Sequence, residues 1–252
     1  MATRMAAMSA VLFDLDGVLT DTAGVHRAAW KQAFDAVLSE LPSDVGGNRA
    51  AFTDADYALY VDGRRRLDGV RAFLASRNIE LPDGADSASA PLTVNSVGTR
   101  KNELFQAQLA AGGAEVFPGS LALVRCVRER GKHTAVVSAS SNCSAVLRAA
   151  GIENLFDVQV DGLIAARDGL RGKPFPDTYL AAARELDVQP ADATVIEDAI
   201  SGVQAGRDGG FGLVVGVDRV GNKRLLFENG ADLVIADLGE LLDDAGCGAT
   251  PR

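Results

Sequence analysis

The sequence predicts an α/β fold, a Rossmann-like parallel-sheet core with a helical cap inserted after the first strand. Two observations predict it. From about residue 114 onward, short apolar runs alternate with amphipathic stretches (LALVRCVRER, HTAVVS, NCSAVLRAAG, FDVQV, PDTYLAAAREL, ATVIE, DAISGVQAGRDGG, FGLVVGV and ADLVIADL). That alternation is the pattern of strand-helix units around a parallel sheet covered on both faces. Between about residues 22 and 112 the texture changes to helical spacing with no strand-helix alternation.

Taken in order, MATRMAA reads as a loose tail, since it passes into Asp14 and Asp16 without a small-residue cleavage pattern. SAVLF at 9 to 13 is a strand buried on both faces. Trp30, Phe34, Val37 and Leu38, then Leu67, Val70, Phe73 and Leu74, mark the apolar stripes of cap helices, broken by SDVGGNRA and PDGADSASAP. The stretch at 82 to 90 reads as a loop, and Gly112, Gly113, Pro118 and Gly119 punctuate the return to the core. The expected division is therefore a catalytic core of 1–21 and 113–252 and a cap of 22–112.

The 252 residues, 47% hydrophobic and 23% charged, suffice for a substantial core. Thirty-four acidic against 25 basic side chains give a net charge of −9, which leaves no general basic footprint for nucleic acid or an anionic membrane. An anionic ligand must then meet cations gathered locally in a pocket. Cys126, Cys143 and Cys247 are odd in number and lack a C-x-x-C pair, so the spacing suggests neither a disulfide framework nor a thiolate zinc site, and a cytoplasmic location is the simplest expectation. No apolar run approaches the roughly 20 residues that span a bilayer.

VLFDLDGVLTDT is the most informative stretch. Asp14 and Asp16, one residue apart at the carboxyl end of a parallel strand, fall where such sheets form their ligand crevice. Paired carboxylates there concentrate negative charge that a divalent cation relieves. A calcium loop does not fit, because Gly17 comes too soon after the first acid.

Three further clusters fall where later strands end. Ser138 follows an apolar strand, and Ser140, Ser141 and Asn142 open a helix whose free N–H groups suit a phosphate, although a serine cluster serves equally as an N-cap. Lys173 stands in GKPFPDTY, a turn in which a lysine alone would be solvated. Glu197 and Asp198 end ATVIE, where helix capping is the plain alternative.

In this order, an Asp-x-Asp, a Ser, a Lys and a Glu-Asp at successive strand ends resemble the four motifs of the haloacid dehalogenase superfamily. DLDGVLTDT, AGVHRAAW, RKN at 100 to 102, SASSN, GKPFPD and IEDAISGVQA resemble its beta-phosphoglucomutase-like branch, over nearly the whole chain. The resemblance implies Asp14 as nucleophile and Asp16 as general acid and base. It implies Mg2+ held by Asp14, the Asp16 main-chain carbonyl, Glu197 and Asp198, with Ser138 and Lys173 on the transferring phosphoryl group. It further implies Thr22 at the hinge, His26 placing the cap and the acid, and Lys101 and Asn102 near the sugar. Ser140, Asn142 and Arg66, the last from the DGRRR cap loop, would hold a second phosphate. In three places the chain departs from the branch: Asp62-Gly63 replaces its usual Lys-Gly, Ser141 stands where it has a lysine, and the segment before GKP, DGLIAARDGLR, is longer than in the compact members.

The implied activity is interconversion of beta-D-glucose 1-phosphate and glucose 6-phosphate through an aspartyl phosphate and a 1,6-bisphosphate, with a cap that closes to exclude water. A Mg2+-dependent phosphatase of a small sugar or polyol phosphate and a non-catalytic phosphometabolite-binding domain are the alternatives. A monomer is the simplest assembly.

Overall fold

The computed structural model describes residues 4–42, 45–84 and 92–247. In chain order its elements are α1 (Arg4–Ala7), β1 (Ala10–Phe13), α2 (Ala23–Glu40), α3 (Asp54–Asp56), α4 (Arg66–Ser76), α5 (Val94–Gly112), α6 (Pro118–Glu129) and β2 (His133–Val137). There follow α7 (Cys143–Ala149), β3 (Val158–Val160), α8 (Gly162–Arg167), α9 (Asp177–Glu185), β4 (Ala193–Glu197), α10 (Ile200–Asp208), β5 (Leu213–Val217), α11 (Lys223–Glu228) and β6 (Leu233–Ile235). From residue 85 on, the stretch read as a loop lies outside the described residues.

The chain divides into two compact units, one of residues 1–21 with 114–252 and one of residues 22–113. In the first, six strands form one parallel sheet in the order β3-β2-β1-β4-β5-β6. This is an α/β Rossmann-like fold, and its sequence cause is direct. Ala10 to Phe13 have no solvent exposure, because β1 sits mid-sheet with helices on both faces, and only an uninterrupted apolar run is stable there. Each such Val, Leu or Phe contributes about 1.5–3 kcal/mol by leaving water. The consecutive buried Ala181, Ala182 and Ala183 of α9 form part of the same core as Leu12 and Val137.

Phe13 pairs with Val136 on one side and Ile196 on the other, so the next residues of all three strands emerge side by side at the carboxyl edge. The strand order reverses at β1, and the crevice opens at such a switch point.

The second unit packs α2, α4 and α5 around Trp30, Phe34, Val37, Phe52, Phe73 and Val97. Between α3 and α4, Tyr57–Val61 form a π-turn that follows a capping box of Thr53 and Asp56. The buried pair of Arg77 with Asp56, at 2.7 Å, anchors that turn to the end of α4.

Two local features differ from the sequence reading. Residues 4–7 form a helical turn with Met5 buried, tied down by Lys132 Nζ, which donates to the carbonyls of Ala6 and Met8. Cys126 and Cys247 form a disulfide, with Cα atoms 6.1 Å apart and a sequence separation of 121. A single pair so distant in sequence leaves no spacing pattern, and the cysteine-based ground for expecting a reducing compartment falls with it. Among the described residues, no helix is long and apolar enough to cross a membrane.

Candidate active site

Asp14 leaves β1 with its N–H bonded to the Ile196 carbonyl at 3.0 Å, which seats it against the end of β4. Lys173, in the loop before α9 and preceding a cis Pro174, reaches the same place. Its ammonium donates to Asp14 Oδ1 at 2.5 Å, to the Val137 carbonyl at 3.1 Å and to Glu197 Oε1. Asp14, Lys173, Glu197 and Ser138 are each at most 6% exposed. A lysine that the loop alone would leave in water is thus a buried counter-ion.

The electrostatics follow from that burial. Loss of water pushes the Asp14 carboxyl well above the usual carboxylate range; the Lys173 charge opposes this, while Glu197 and Asp16 add to it. Burial by itself would lower the Lys173 ammonium, but Asp14 and Glu197 outweigh it and hold it well above the ordinary lysine range.

Asp14, Glu197 and Asp198 bring one carboxylate oxygen each within 4.8 Å of one another. When all three are ionised, three carboxylates against one ammonium leave two negative charges, and an all-oxygen donor set of that charge suits a hard divalent cation. The residues present therefore fit Mg2+.

Asp16 lies on a short loop that closes on itself. The Gly17 N–H donates to the Thr20 carbonyl at 2.8 Å, and Thr20 Oγ1 donates to Leu15 O at 3.3 Å. Gly17 has φ +87°, and a Cβ there would run into the Asp198 carboxylate, so both conformation and space demand glycine. Ser138 Oγ accepts from the Ser140 N–H, and Ser140 Oγ from the Asn142 N–H, each at 3.1 Å. The serines therefore shape the turn that leads into α7.

In the second unit, Lys101 is buried with Nζ 2.6 Å from His26 Nδ1 and about 5 Å from the rings of Trp30 and Phe105. Thr22 is buried just before α2, Asn102 is half-buried on α5, and Arg66 is half-buried at the start of α4. The structure thus gathers Asp14, Ser138, Lys173, Glu197 and Asp198 at one sheet edge and pairs His26 with Lys101 within the second unit.

Two neighbours escape a sequence reading. Tyr179 on α9 is fully buried; its hydroxyl donates to Glu197 Oε1 at 3.1 Å, and its ring lies 4.8 Å from Lys173 Nζ. Arg219 donates to the Gly17 carbonyl across 202 residues, which no local pattern reveals.

Gly202 on α10 has a comparable role to Gly17, since a Cβ there would strike the Glu197 carboxylate. Gly202→Ala is expected to displace Glu197 and weaken divalent-cation binding about tenfold, measured by calorimetric titration with Mg2+. Unchanged affinity would show that Glu197 has no part in holding the ion.

A family model described as a haloacid dehalogenase-like hydrolase matches residues 8–210. The chain is 48% identical over 238 residues to the beta-phosphoglucomutase of Mycobacterium tuberculosis (strain CDC 1551 / Oshkosh), which covers 92% of this chain and 91% of that protein. To the beta-phosphoglucomutase of Bacillus subtilis (strain 168) it is 32% identical over 235 residues, 93% and 92% of the two chains. Among solved structures, CbbY from Rhodobacter sphaeroides in complex with xylulose-(1,5)bisphosphate superposes with a TM-score of 0.71 at 27% identity, covering 92% of this chain and 96% of that one.

Proposed function

The chain belongs to the haloacid dehalogenase-like hydrolase family, and from that premise we propose that it is a Mg2+-dependent phosphotransferase that interconverts beta-D-glucose 1-phosphate and glucose 6-phosphate. The observation that carries the chemistry is the buried Asp14–Lys173–Glu197 cluster beside Asp198 at the switch point of the sheet. The 48% identity to a beta-phosphoglucomutase over nearly the full length supports the substrate.

On this reading an Asp14 carboxylate oxygen attacks phosphorus, and the bond from phosphorus to the sugar oxygen breaks. Asp16 as the acid gives that oxygen its proton. In the second half, Asp16 as the base takes the proton of a sugar hydroxyl, whose oxygen attacks the phosphoryl group and frees Asp14. Lys173 and Ser138 hold the phosphoryl oxygens, where charge spreads at the transition state. Mg2+, held by Asp14, the Asp16 main-chain carbonyl, Glu197 and Asp198, would neutralise charge on that group. Ser140 and Asn142 with Arg66 are the proposed grip on the second phosphate, and Lys101 and Asn102 the sugar contacts.

A phosphatase that passes the phosphoryl group to water is the second reading, favoured by the family description as hydrolases and by Ser141 in place of a lysine. Glucose 6-phosphate formation and phosphate release, followed in parallel from beta-glucose 1-phosphate with a trace of bisphosphate, separate the two. The mutase yields glucose 6-phosphate with little free phosphate; stoichiometric phosphate release would overturn it. Arg66→Ala is expected to cut use of the bisphosphate about 30-fold or more while sparing hydrolysis of a small monophosphate, because only the bisphosphate needs a second charge-assisted clamp. Equal losses on the two would remove Arg66 from that role.

A further inference from the structure

We infer that Arg219 is a positioning residue that sets the general acid and base by holding the Gly17 carbonyl; the inference rests on the proposed roles of Asp14 and Asp16. Arg219 follows β5. Its Nε donates to Gly17 O at 2.8 Å, and its Nη1 donates to Ala236 O at 2.9 Å and lies 3.7 Å from Asp237 Oδ2. The guanidinium lies 3.8 Å from the centre of the Phe117 ring. Nothing local in the sequence joins these segments; the arginine fork does.

Both ends of this strut are themselves fixed. At the anchor, Glu240 Oε1 accepts from the N–H groups of Ala236 and Asp237, so the turn after β6 is rigid where Arg219 grips it. At the working end, the Gly17 N–H is committed to Thr20, and the Asp198 carboxylate fills the space that a side chain at Gly17 would need. The Phe117 N–H donates to Leu19 O at 3.0 Å, so the ring beneath the guanidinium belongs to the segment bonded to the same loop. The Gly17 N–H bond to Thr20 holds the peptide that follows Asp16, and Arg219 holds the next peptide through its carbonyl, so the loop is pinned on both sides of Gly17, and with it the backbone that carries the Asp16 side chain.

Stability alone does not call for arginine here. Its Nη2 is buried without a hydrogen-bond partner among the described residues, a cost that a lysine reaching either carbonyl would avoid. What only the planar fork supplies is two donors at a fixed angle, one on each segment.

The test exploits leaving-group chemistry. A sugar oxygen must be protonated as it departs, whereas the phenolate of p-nitrophenyl phosphate departs unaided, so misplacing Asp16 harms the first donor selectively. With saturating Mg2+, Arg219→Ala is expected to lower kcat/KM for beta-glucose 1-phosphate about 30-fold and for p-nitrophenyl phosphate about threefold at most, with Arg219→Lys between Ala and wild type. Asp16→Asn should show the same selectivity more deeply. Equal losses on both donors, or none on the sugar phosphate, would overturn the inference. If thermal melting shows the Ala variant unfolded, the ratio in Arg219→Lys decides alone. Should wild-type protein consume neither donor, or Asp14→Asn match it, the underlying chemistry fails. An unselective Arg219 loss on an otherwise behaving enzyme sinks only the strut.

Discussion

Asp14→Asn is expected to lower turnover of beta-glucose 1-phosphate by at least about 10⁴-fold, a loss of the size seen when an enzyme's nucleophile is removed, while leaving the fold in place. The amide has nearly the shape of the carboxylate, so packing around β1 is preserved. Its oxygen bears no full charge, is a poor nucleophile and holds a divalent cation less well. Burial already works against a charge at this position, and the neutral amide removes that cost. Lys173 retains Glu197 and the Val137 carbonyl as partners. The melting temperature should therefore move by only a few degrees in either direction. Single-turnover measurements with labelled phosphate check the chemistry, and circular dichroism checks the fold. Retention of more than about one per cent of the wild-type rate would assign the nucleophile elsewhere.

How much of this was legible in the sequence depends on the range of each interaction. The strands were legible because burial on both faces forces continuous apolar runs such as Ala10–Phe13 and Leu213–Val217. Asp14, Ser138, Glu197 and Asp198 were legible as polar residues just where such runs stop. Lys173 was legible only by resemblance, since a lysine before a proline otherwise reads as solvated. Tyr179 has no signal of its own in the sequence, because nothing in the helix spacing shows that its hydroxyl meets Glu197. Arg219 and the Cys126–Cys247 pair depend on segments more than a hundred residues apart. Folding makes those contacts, and no period in the chain announces them. The π-turn at Tyr57–Val61 has no signature in the residue spacing; the Thr53–Asp56 cap precedes it and Arg77 pairs with Asp56 beside it only in the folded chain.

Lys173→Met should produce the second large effect, and on stability as well as activity. The ammonium is 1% exposed between side chains of Asp14 and Glu197 that are 9% and 0% exposed. Methionine fills similar volume but leaves two buried carboxylates facing each other, and breaking a buried pair in this way costs about 3–5 kcal/mol. For a core of this size that is on the order of 10 °C in melting temperature. The pH dependence has a definite sign. Without Lys173, the charge that opposes the effect of burial on Asp14 is gone, so the Asp14 carboxyl stands further above its unfolded value than in the wild type, and the variant keeps its stability below the unfolded pKa and loses more of it as pH rises through the folded one. In the wild type the Lys173 ammonium is held above its ordinary range, so its contribution persists throughout the neutral region and is lost only in strong alkali. The gap between the two proteins should accordingly be small near pH 5 and widen toward pH 8. Mg2+ should raise the melting temperature of the variant more than that of the wild type, because the same carboxylates then lack any other positive partner. Calorimetric scans at the two pH values, with and without Mg2+, test both statements. A gap that is constant with pH would mean that Lys173 acts through packing rather than through its charge.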